Sequence, residues 1–296
     1  MQNKTYCGYV AVIGRPNVGK STLINCLVGQ KISITARKPQ TTRHRILGIK
    51  TVDDRQAIYV DTPGLHRLAK RALNKYMNVT ATSTISDVDL ILFVIDSIQL
   101  KEEDEWVLSL LANVSCPVFL VINKIDRLDD KLELLPAIEK FQQLKLFQEI
   151  LPIAAKNGQN VSGLEKCIFE LLPESPHYFN ATDLTDRSER FLVAELIREK
   201  AIRNLGQEVP HALTVQIDSF QDTKNLINIS ATILVERQGQ KGIIIGKNGE
   251  LLKKIGTAAR IDIEAMLGKK VFLRLWIKVK SGWSNDDNAL KKLGYD

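Results

Sequence analysis

The segment GRPNVGKS, at residues 14–21, has the residue types and spacing of a phosphate-binding loop. It fits the pattern G-x-x-x-x-G-K-[ST] between a β-rich run and a helix-like stretch, and its glycines allow consecutive backbone N–H groups to point at phosphate oxygens. In such a loop Lys20 reaches the outer phosphates of a nucleotide, and the hydroxyl of Ser21 binds Mg²⁺. The pattern therefore favours a nucleotide site over a plain glycine turn.

Two shorter motifs contain groups that could complete a phosphate and Mg²⁺ site. DTPG ends an apolar strand, so Asp61 can hold Mg²⁺ directly or through water, and the N–H of Gly64 can sense a terminal phosphate. QTTRHR, at 40–45, lies in the polar stretch before that strand, and one of its threonines, preferably Thr42, can close over the metal and the phosphate. The order of the motifs predicts three Mg²⁺ ligands, Ser21, Thr42 and Asp61.

The motif NKID, at 123–126, predicts which nucleotide base the site binds. The carboxylate of Asp126 can accept hydrogen bonds from the N1–H and the exocyclic amine of guanine, which adenine lacks, and a site built on such bonds discriminates strongly. Asn123 can bind another edge of guanine or brace the phosphate loop, and the stem of Lys124 can cover the ring. In the motif AAK, the N–H of Ala155 is placed to meet the guanine carbonyl oxygen. The alternative for NKID is a strand end with helix-capping residues.

These motifs predict one set of nucleotide contacts. The set comprises Gly14, Asn17, Val18, Gly19, Lys20, Ser21, Thr22, Asp61, Thr62, Pro63, Gly64, Asn123, Lys124, Asp126, Ala154, Ala155 and Lys156. Lys20, Thr42 and Gly64 are also expected to assist catalysis, because all three can reach the terminal phosphate.

A second loop of glycine and lysine, IIIGKNGELLKKIG, lies near the end of the sequence at 243–256. It lacks G-K-[ST] and does not follow a strand, so a second nucleotide pocket is rejected. Glycines at 246 and 249 permit a tight loop that approaches a phosphate backbone, and the two residues between them supply donors. Between Gln240 and Lys280 the sequence has ten basic and three acidic residues. The excess of positive charge in this segment is seven, which equals the net charge of +7 of the whole chain. An RNA clamp is therefore favoured over a helix–helix turn or a solvated lysine-rich surface.

The RNA contacts expected from this region include the loop and the lysines beyond it. They are Ile245, Gly246, Lys247, Asn248, Gly249, Lys253, Lys254, Lys278 and Lys280. Trp283 either packs in a core or stacks on a base, and the sequence leaves both alternatives open.

The elements that position the nucleotide motifs alternate between strand and helix. Near-continuous apolar runs predict strands at 9–14, 57–61, 89–96, 118–124 and 150–155. Such runs, separated by amphipathic helical stretches, are typical of a mainly parallel sheet with helices on both faces. The motifs then fall at the carboxyl ends of strands, where the reactive loops of this architecture lie.

The pattern changes after LPESPHYFNATDLTD, a stretch rich in proline and turn formers. We interpret 173–186 as a linker between a nucleotide-binding domain at 1–172 and a second domain at 187–296, which includes the C-terminal tail. The second domain is predicted to have the order α-β-β-α-α-β, with a helix from Glu250 to Ala265 and a last strand at 271–280.

Together, GRPNVGKS, TTR, DTPG, NKID and AAK resemble the motifs of translation-factor-related bacterial GTPases. With TDLTDRSERF at 182–191, the second glycine loop, and KVKSGWSNDDNALKKLGY at 278–295, nearly the whole chain is similar to the Era family of ribosome-assembly GTPases. The resemblance implies an α/β protein in which a P-loop GTPase domain is followed by an α+β type II KH domain that clamps single-stranded RNA. It also implies hydrolysis of GTP by water to GDP and phosphate, with Mg²⁺ as cofactor.

The resemblance implies partners as well. The RNA would be the 3′ end of 16S ribosomal RNA, bound during maturation of the 30S ribosomal subunit, with the GTP form competent to bind and hydrolysis releasing the RNA. A monomer in the bacterial cytoplasm is expected, and the basic segment is compatible with weak peripheral contact with the cytoplasmic side of the inner membrane.

Three positions bear on how far the resemblance extends. Ala154 stands where the family commonly has serine, so bracing by a hydroxyl is lost and nucleotide affinity is expected to be somewhat weaker. Leu65 stands where Ras-like switches have a water-orienting glutamine, in agreement with the family, so intrinsic hydrolysis is expected to be slow. Asn17 occupies the position that in related GTPases helps to bind a catalytic K⁺ ion, with loop shaping as the alternative.

The composition agrees with a cytosolic protein of two domains. The apolar runs are shorter than the ~20 residues of a membrane helix, no secretory leader opens the sequence, and the cysteines lack metal-site spacing. Three rival functions are a P-loop kinase or ATPase with an RNA domain, an RNA-binding adaptor, and a membrane-linked signalling GTPase with a general single-stranded RNA module. The guanine motif NKID counts against the kinase or ATPase. The full set of phosphate ligands counts against the adaptor, and the lack of a lipidation motif counts against the membrane-linked GTPase.

Overall fold

The computed structural model describes residues 4–36, 38, 40–64, 72–85, 87–96, 98–205 and 213–295, so Leu65 lies outside the described residues. These residues divide into two compact units. The described parts of Met1–Ser33, Thr42–Lys70 and Asn74–Asp186 form the first unit, and those of Ile34–Thr41, Arg71–Leu73 and Arg187–Asp296 form the second. The short segment Ile34–Thr41 therefore belongs to the second unit although both its sequence neighbours belong to the first.

A six-stranded sheet forms the centre of the first unit. Its strands are β1 (Tyr6–Ile13), β2 (Ile46–Val52), β3 (Arg55–Asp61), β4 (Leu90–Ile95), β5 (Val118–Ile122) and β6 (Glu149–Pro152). They lie in the order β2-β3-β1-β4-β5-β6, and only the pair β2 and β3 is antiparallel. Every residue of β4 and β5 is buried, as in central strands covered on both faces. The predicted mainly parallel sheet is confirmed.

Helices flank this sheet, and all but the last of them lie between successive strands in the chain. They are α1 (Lys20–Val28), α2 (Ala72–Ser83), α3 (Glu102–Leu111), α4 (Leu134–Gln143) and α5 (Val161–Leu171). On one face, α2, α3 and α4 contribute Ala81, Val107 and Phe141 to a buried cluster with β1, β4 and β5. On the other face, α1 and α5 contact each other and β3. Each nucleotide motif is thus attached to a strand end whose position is set by packing on both sides.

Strand β2 is an element that the sequence analysis missed. Gly48 stands in its middle, and glycine weakens the hydrophobic pattern by which a strand is recognised. A Cβ atom at this glycine would lie 2.7 Å from Cδ1 of Ile32, so the close packing of β2 requires the missing side chain. The turn to β3 places Asp53 at φ 51°, which gives the tight hairpin.

The second unit has the predicted order α-β-β-α-α-β, followed by one further helix. Its elements are α6 (Glu189–Asn204), β7 (Leu213–Asp222), β8 (Leu226–Val235), α7 (Gln238–Ile245), α8 (Glu250–Leu267), β9 (Lys270–Val279) and α9 (Asp287–Lys292). The sheet order is β7-β8-β9, with β7 antiparallel and β9 parallel to β8. The predicted α+β fold of this unit is confirmed, and α9 is an addition to it.

Helices α6, α7 and α8 pack against one face of the sheet of the second unit. Val271 and Ile277 of β9 join Ile255 of α8, Ile197 of α6 and Ile244 of α7 in one buried cluster. Successive side chains of a strand alternate between faces. The even-numbered side chains of β9 therefore lie on the face away from the helices.

Trp283 follows β9 and is fully buried. Its ring stacks on Tyr295 with 6.3 Å between centroids, and the next residue, Ser284, donates its hydroxyl to Glu236 at 2.5 Å. Of the two alternatives for this tryptophan, the structure shows core packing. In the described part of the chain, no helix combines the length and apolar character needed to cross a membrane.

Replacing Trp283 by alanine is expected to destabilise the second unit. Removal of a large, fully buried ring leaves a cavity and costs about 3–5 kcal/mol of unfolding free energy. The measurement is urea unfolding followed by circular dichroism, with Trp276→Ala as the matched control. Because the Trp276 side chain is 61% exposed, its removal should change the free energy by less than about 0.5 kcal/mol. Equal losses in the two variants would contradict the burial described above.

Candidate functional site

The loop at 14–21 connects β1 to α1 and has a backbone that glycine alone adopts easily. Gly14 and Gly19 have φ values of 148° and 105°, and Asn17 has 67°. A Cβ atom at Gly14 would lie 2.3 Å from the carbonyl oxygen of Val94, and one at Gly19 would lie 2.3 Å from Nδ2 of Asn123. Both glycines are therefore required by close contact as well as by φ.

Lys20, the first residue of α1, is buried beneath this loop. Its ammonium donates to the carbonyl oxygens of Gly14 at 3.0 Å and Arg15 at 3.1 Å. Burial lowers the pKa of Lys20 to about 8, and Asp61 opposes this shift only in part. The site thus contains a buried cation that an anionic ligand would stabilise.

Ser21, Thr42 and Asp61 converge on one point. The hydroxyl of Ser21 donates to Oδ2 of Asp61 at 2.8 Å, and it lies 2.8 Å from the hydroxyl of Thr42. Burial raises the pKa of Asp61, while the hydrogen bond from Ser21 lowers it. Oδ1 of Asp61 is also buried and, within normal hydrogen-bonding geometry, has no partner among the described residues. A carboxylate with an unused oxygen beside two hydroxyls fits a hard cation such as Mg²⁺.

The segment after Asp61 runs beside the phosphate loop. Thr62 is buried and donates its hydroxyl to the carbonyl oxygen of Val12 at 2.9 Å. A Cβ atom at Gly64 would lie 2.8 Å from Cγ of Pro16, so the backbone of Gly64 can approach the loop only because it has no side chain. Pro63 between them is buried as well. The backbone of Gly64 therefore lies directly against Pro16 of the phosphate loop.

Asn123 links the phosphate loop to the two base-recognition motifs. Its Nδ2 donates to the carbonyl oxygen of Val18 at 2.9 Å, and its Oδ1 accepts from the N–H groups of Lys124 at 2.8 Å and Ala155 at 3.0 Å. The N–H of Ala155, expected at the guanine carbonyl, is therefore used by Asn123 in this structure. Ala154 is buried and pairs with Gln159 across a tight turn.

Asp126 and Lys156 lie at the open side of these motifs. Asp126 belongs to a short 3₁₀ turn, Ile125–Arg127, and its side chain is exposed. Lys156, which follows the Ala154–Ala155 pair, is exposed as well. The side chain predicted to select the base is thus exposed to solvent, while Asn123, three residues earlier, is buried. Thr22 and Val18 extend the site as parts of α1 and the loop.

Sequence reasoning missed an ion network that joins the phosphate loop to β4. The carboxylate of Asp96 contacts the guanidinium of Arg15 and accepts from Nζ of Lys124 at 2.7 Å. Nζ of Lys124 also donates to the carbonyl oxygen of Asn17 at 2.5 Å, and Arg15 donates to buried Asp104 at 3.1 Å. Burial opposes ionisation of Asp96, but Lys124 and Arg15 outweigh it and lower its pKa. The signal in the sequence was an aspartate directly after the buried run of β4.

In the second unit, the predicted Gly-x-x-Gly loop connects α7 to α8. Gly246, Asn248 and Gly249 all have positive φ, at 71°, 50° and 79°. A Cβ atom at Gly246 would lie 2.7 Å from Cβ of Leu251, whereas Gly249 has open space around it. Lys247 is exposed at the tip. The loop is therefore tight, open to solvent and positively charged.

The other predicted RNA contacts divide between two faces. Lys253 and Lys254 are exposed in the first turns of α8, close to the loop in sequence, and Ile245 is the last residue of α7. Lys278 belongs to the even-numbered side of β9, on the face away from the helices, and Lys280 directly follows the end of β9. The structure thus does not bring Lys278 to the side of the sheet where the loop lies.

The second unit also holds part of the segment that precedes Thr42, which sequence reasoning did not foresee. Glu199 of α6 is fully buried and accepts hydrogen bonds from the backbone N–H of Thr35 at 3.0 Å and from its hydroxyl at 3.2 Å. Arg203, one turn later, donates to the carbonyl oxygen of Thr35 at 2.8 Å. One residue of the segment is thus held through its N–H, its hydroxyl and its carbonyl oxygen.

Two more contacts anchor the rest of this segment to α6. Lys38 donates to the carbonyl oxygens of Ile202, at 2.8 Å, and Leu205 at the end of the helix, where carbonyl groups have no helical partner. Arg198 is buried, is paired with Glu195 at 2.6 Å and contacts the carbonyl oxygen of Thr41. The segment is therefore held on α6 at Thr35, Lys38 and Thr41.

Comparison with known proteins gives matches to both units. The chain matches the family of 50S ribosome-binding GTPases over residues 9–124 and the KH domain over residues 208–284. It is 56% identical over 292 residues to GTPase Era of Coxiella burnetii (strain Dugway 5J108-111), with 99% of each protein covered. GTPase Era of Pseudomonas aeruginosa (strain LESB58) is 54% identical over 289 residues, covering 98% of this chain and 95% of that protein.

Two solved structures of full-length relatives are also similar. Era in complex with MgGDPNP and nucleotides 1506–1542 of 16S ribosomal RNA has a TM-score of 0.94 and 38% identity, covering 98% of this chain and 99% of that one. An Aquifex aeolicus Era variant bound to GDP and AlF₄⁻ has the same TM-score, identity and coverage.

Removing the ammonium of Lys20 is expected to change how the stability of the nucleotide-free protein depends on pH. The pKa of Lys20 is about 8 in the folded chain and has its ordinary value of 10.5 in the unfolded chain. Between these values the unfolded chain binds more protons, so wild-type stability rises with pH. Relative to Lys20→Met, wild type should gain up to about 3 kcal/mol from the lower pKa to the upper one.

The measurement is urea unfolding of nucleotide-stripped wild type and Lys20→Met at a series of pH values across this range. Lys140→Met, which removes an exposed lysine of α4 in the same unit, is the control and should follow wild type. If the wild-type and Lys20→Met curves run parallel, Lys20 is not titrating in a buried environment.

Proposed function

The chain belongs to the Era family of GTPases, and on this basis we propose that its first unit is a GTP-driven switch controlling RNA binding by its second unit. The observation that supports this most directly is the anchoring of Ile34–Thr41 to α6. The nucleotide-facing Thr42 is thereby attached to a segment that belongs to the RNA-binding unit. A change in the position of Thr42 has to be transmitted to α6 or to break these contacts.

The phosphates of GTP would bind the loop from Gly14 to Thr22. Left-handed backbone at the loop glycines turns N–H groups inward, and Lys20 supplies a buried positive charge. Ser21, Thr42 and Asp61 would hold Mg²⁺, which neutralises phosphate charge when bound. Desolvation of Lys20 and of Asp61 has already occurred in the folded protein, so ligand binding recovers electrostatic free energy that folding left uncompensated.

Guanine would be selected by Asp126, whose exposed carboxylate can accept from both N1–H and the exocyclic amine. Asn123 would act chiefly through the scaffold, because its three hydrogen bonds already hold Val18, Lys124 and Ala155. The Lys124 stem would cover the ring, with its ammonium fixed by Asp96. Lys156, Thr62 and Pro63 would complete the walls of the site.

Hydrolysis would depend on Lys20, Thr42 and the N–H of Gly64, which stabilise charge on the terminal phosphate. Leu65 cannot orient water, so the intrinsic rate should be slow. Asn17 is exposed in the left-handed conformation at the loop tip, and K⁺ bound near it would take the place of an arginine finger. Faster turnover in K⁺ than in Na⁺, lost in Asn17→Asp, would support this role.

The second unit would clamp the 3′ end of 16S ribosomal RNA, by analogy with the relative solved in complex with nucleotides 1506–1542. The Gly-x-x-Gly loop can approach about four nucleotides of backbone, with Lys247 and Asn248 as donors. Lys253 and Lys254 would contact flanking phosphates, and Ile245 would contact a base. By this activity the protein would assist 30S maturation in the bacterial cytoplasm, acting as a monomer.

The alternative is a signalling GTPase at the inner membrane that binds single-stranded RNA of any sequence. The two functions differ in their ligands. A protein that matures the 30S subunit prefers the 3′-end sequence over a scrambled RNA of equal length, and it does not need vesicles of anionic lipid to reach full GTPase activity.

Asp126→Asn is expected to change the base preference from guanine to xanthine. The amide can donate a hydrogen bond to the C2 carbonyl of xanthine but cannot accept from the two guanine donors. Loss of paired hydrogen bonds should weaken GTP binding by about 100-fold or more, while XTP binds and is hydrolysed. Competition of XTP, GTP and ATP against a fluorescent nucleotide measures this. Asp129→Asn, an exposed aspartate next to the same turn, is the control and should keep guanine preference.

The RNA affinity of the full chain is expected to depend on the nucleotide. At one fixed salt concentration, a short RNA from the 16S 3′ end should bind more tightly to the form with a GTP analogue than to the GDP form. Gly246→Asp and Lys247→Glu should abolish binding in both forms, and Gly163→Asp in α5 should not, although it adds the same charge as Gly246→Asp.

Thr35→Val tests the link between the two units in the same assay. It removes a hydroxyl that Glu199 and Arg203 bind, so the ratio of affinities in the two nucleotide states should fall toward one. Binding in either state alone should persist, because the hydrogen bonds described for Thr35 go to Glu199 and Arg203 of α6 and not to the Gly-x-x-Gly loop. An unchanged ratio would mean that the segment does not carry the signal.

A further inference from the structure

The sheet of the second unit carries two large aromatic side chains on its solvent face. Trp276 is 61% exposed and Phe272 is 46% exposed, whereas the flanking odd-numbered residues Val271 and Ile277 are buried against the helices and Leu273 and Leu275 between them are partly buried there. Large exposed aromatic rings on one face of a strand are costly to leave in water. Nothing in the nucleotide site or the Gly-x-x-Gly loop uses them.

Cations alternate with these rings along β9. Arg274 lies between them, with its guanidinium carbon 5.0 Å from the centroid of Phe272. Lys278 continues the same side of the strand and is exposed, and Lys280 continues the pairing with β8 through its N–H. We call the side chains of Phe272, Arg274, Trp276 and Lys278 the outer aromatic strip.

The strand beside this strip places neutral rather than acidic side chains opposite it. The residues of β8 paired with Phe272, Arg274 and Trp276 are Asn228, Ser230 and Thr232, all neutral. Asp218 of β7 is the nearest carboxylate by strand pairing, and it already accepts the hydroxyl of Thr232 at 2.7 Å. The strip is therefore positively charged, with neutral hydrogen-bonding groups beside it.

Charge complementarity decides the class of partner. A protein or lipid tail could cover the rings, but the alternation of ring and cation at the strand period matches an unpaired nucleic acid strand in particular. Bases stack on aromatic and guanidinium planes, and lysines contact the intervening phosphates. Single strands are favoured over duplex, because the bases of a duplex are stacked on each other.

We propose that the outer aromatic strip is a second binding surface for single-stranded RNA, separate from the Gly-x-x-Gly loop. The proposal rests on RNA binding by this unit. The loop lies between α7 and α8, which pack on the opposite face of the sheet. β9 is an edge strand of the sheet as described, so an RNA held by the loop can pass around that edge and place its flanking bases on the strip.

The strip also gives Lys278 a definite role. This lysine was expected among the RNA contacts, yet it lies on the face away from the loop. On the outer face it is the next side chain after Trp276, where it would contact a phosphate that flanks the stacked base, and Lys280, directly after β9, would contact a phosphate further along. The stacking function considered for buried Trp283 falls instead to Trp276.

The test compares two RNAs on the full chain with a GTP analogue at one fixed salt concentration. One RNA has five nucleotides and fills the loop alone, and the other has twelve nucleotides with those five at its centre. Fluorescence anisotropy of end-labelled RNA gives the affinity of each. Wild type should bind the longer RNA more tightly.

Trp276→Ala should weaken binding of the longer RNA by about tenfold, as expected for loss of one stacked base, and leave the five-nucleotide RNA unaffected. Trp276→Phe retains a ring and should keep most of the affinity. Ile261→Ala removes a 54% exposed apolar side chain from α8 of the same unit, and it should bind both RNAs as wild type does.

The outcomes separate this proposal from the function on which it rests. If Trp276→Ala and wild type bind the longer RNA equally while Gly246→Asp loses both RNAs, the strip is not an RNA surface and the clamp stands. If neither RNA binds wild type, RNA binding by this unit fails. If Trp276→Ala binds both RNAs normally but loses affinity for the 30S particle, the strip docks protein and the proposal is overturned.

Discussion

Two buried charges that the protein does not fully compensate form the constraint on which the first unit depends. Lys20 and Asp61 are desolvated in the folded state. Burial lowers the pKa of Lys20 and raises the pKa of Asp61, and both shifts favour the neutral form of the side chain. Folding tolerates this cost because the surrounding sheet is closely packed on both faces. A ligand with phosphates and a divalent cation supplies the missing partners, so binding free energy at this site is partly the recovery of a cost already incurred.

The electrostatic free energy is recovered on binding only if the site is rigid. Most of the contacts that were not predicted from the sequence make it rigid. A mobile loop would let Lys20 turn toward water, and the stored electrostatic cost would be lost before any ligand arrived. Asn123 prevents this by joining the phosphate loop to both base motifs, and Asp96 does so by joining Arg15 to Lys124. The lost hydroxyl at Ala154 is less serious in this setting, because the amide of Asn123 already holds the neighbouring N–H of Ala155.

The sequence predicted what is local and left open what is distant. The phosphate loop, the guanine motif and the Gly-x-x-Gly loop were found because each is contiguous and its residue types are dictated by chemistry. Strand β2 was not predicted, because Gly48, which close packing requires, interrupts its apolar pattern. The contacts of Thr35 with Glu199 and Arg203 join residues far apart in sequence, and no pattern in either segment indicates the other. The exposure of Trp276 follows from the alternation along β9, whereas the burial of Trp283 depends on Tyr295, which no local pattern indicates.

The segment held on α6 and the outer aromatic strip on β9 differ in the kind of contact that they make. The segment is held by a network of hydrogen bonds to α6, in which Thr35 bonds to both Glu199 and Arg203, and such networks are cooperative. Such contacts suit a switch with two states. The strip uses exposed rings and cations, whose contributions are separate and salt-dependent, and these suit a long ligand that is gained or released in steps. If both act on one RNA, nucleotide state would control the clamp while the strip keeps the flanking strand close, so that release by hydrolysis would begin at the loop.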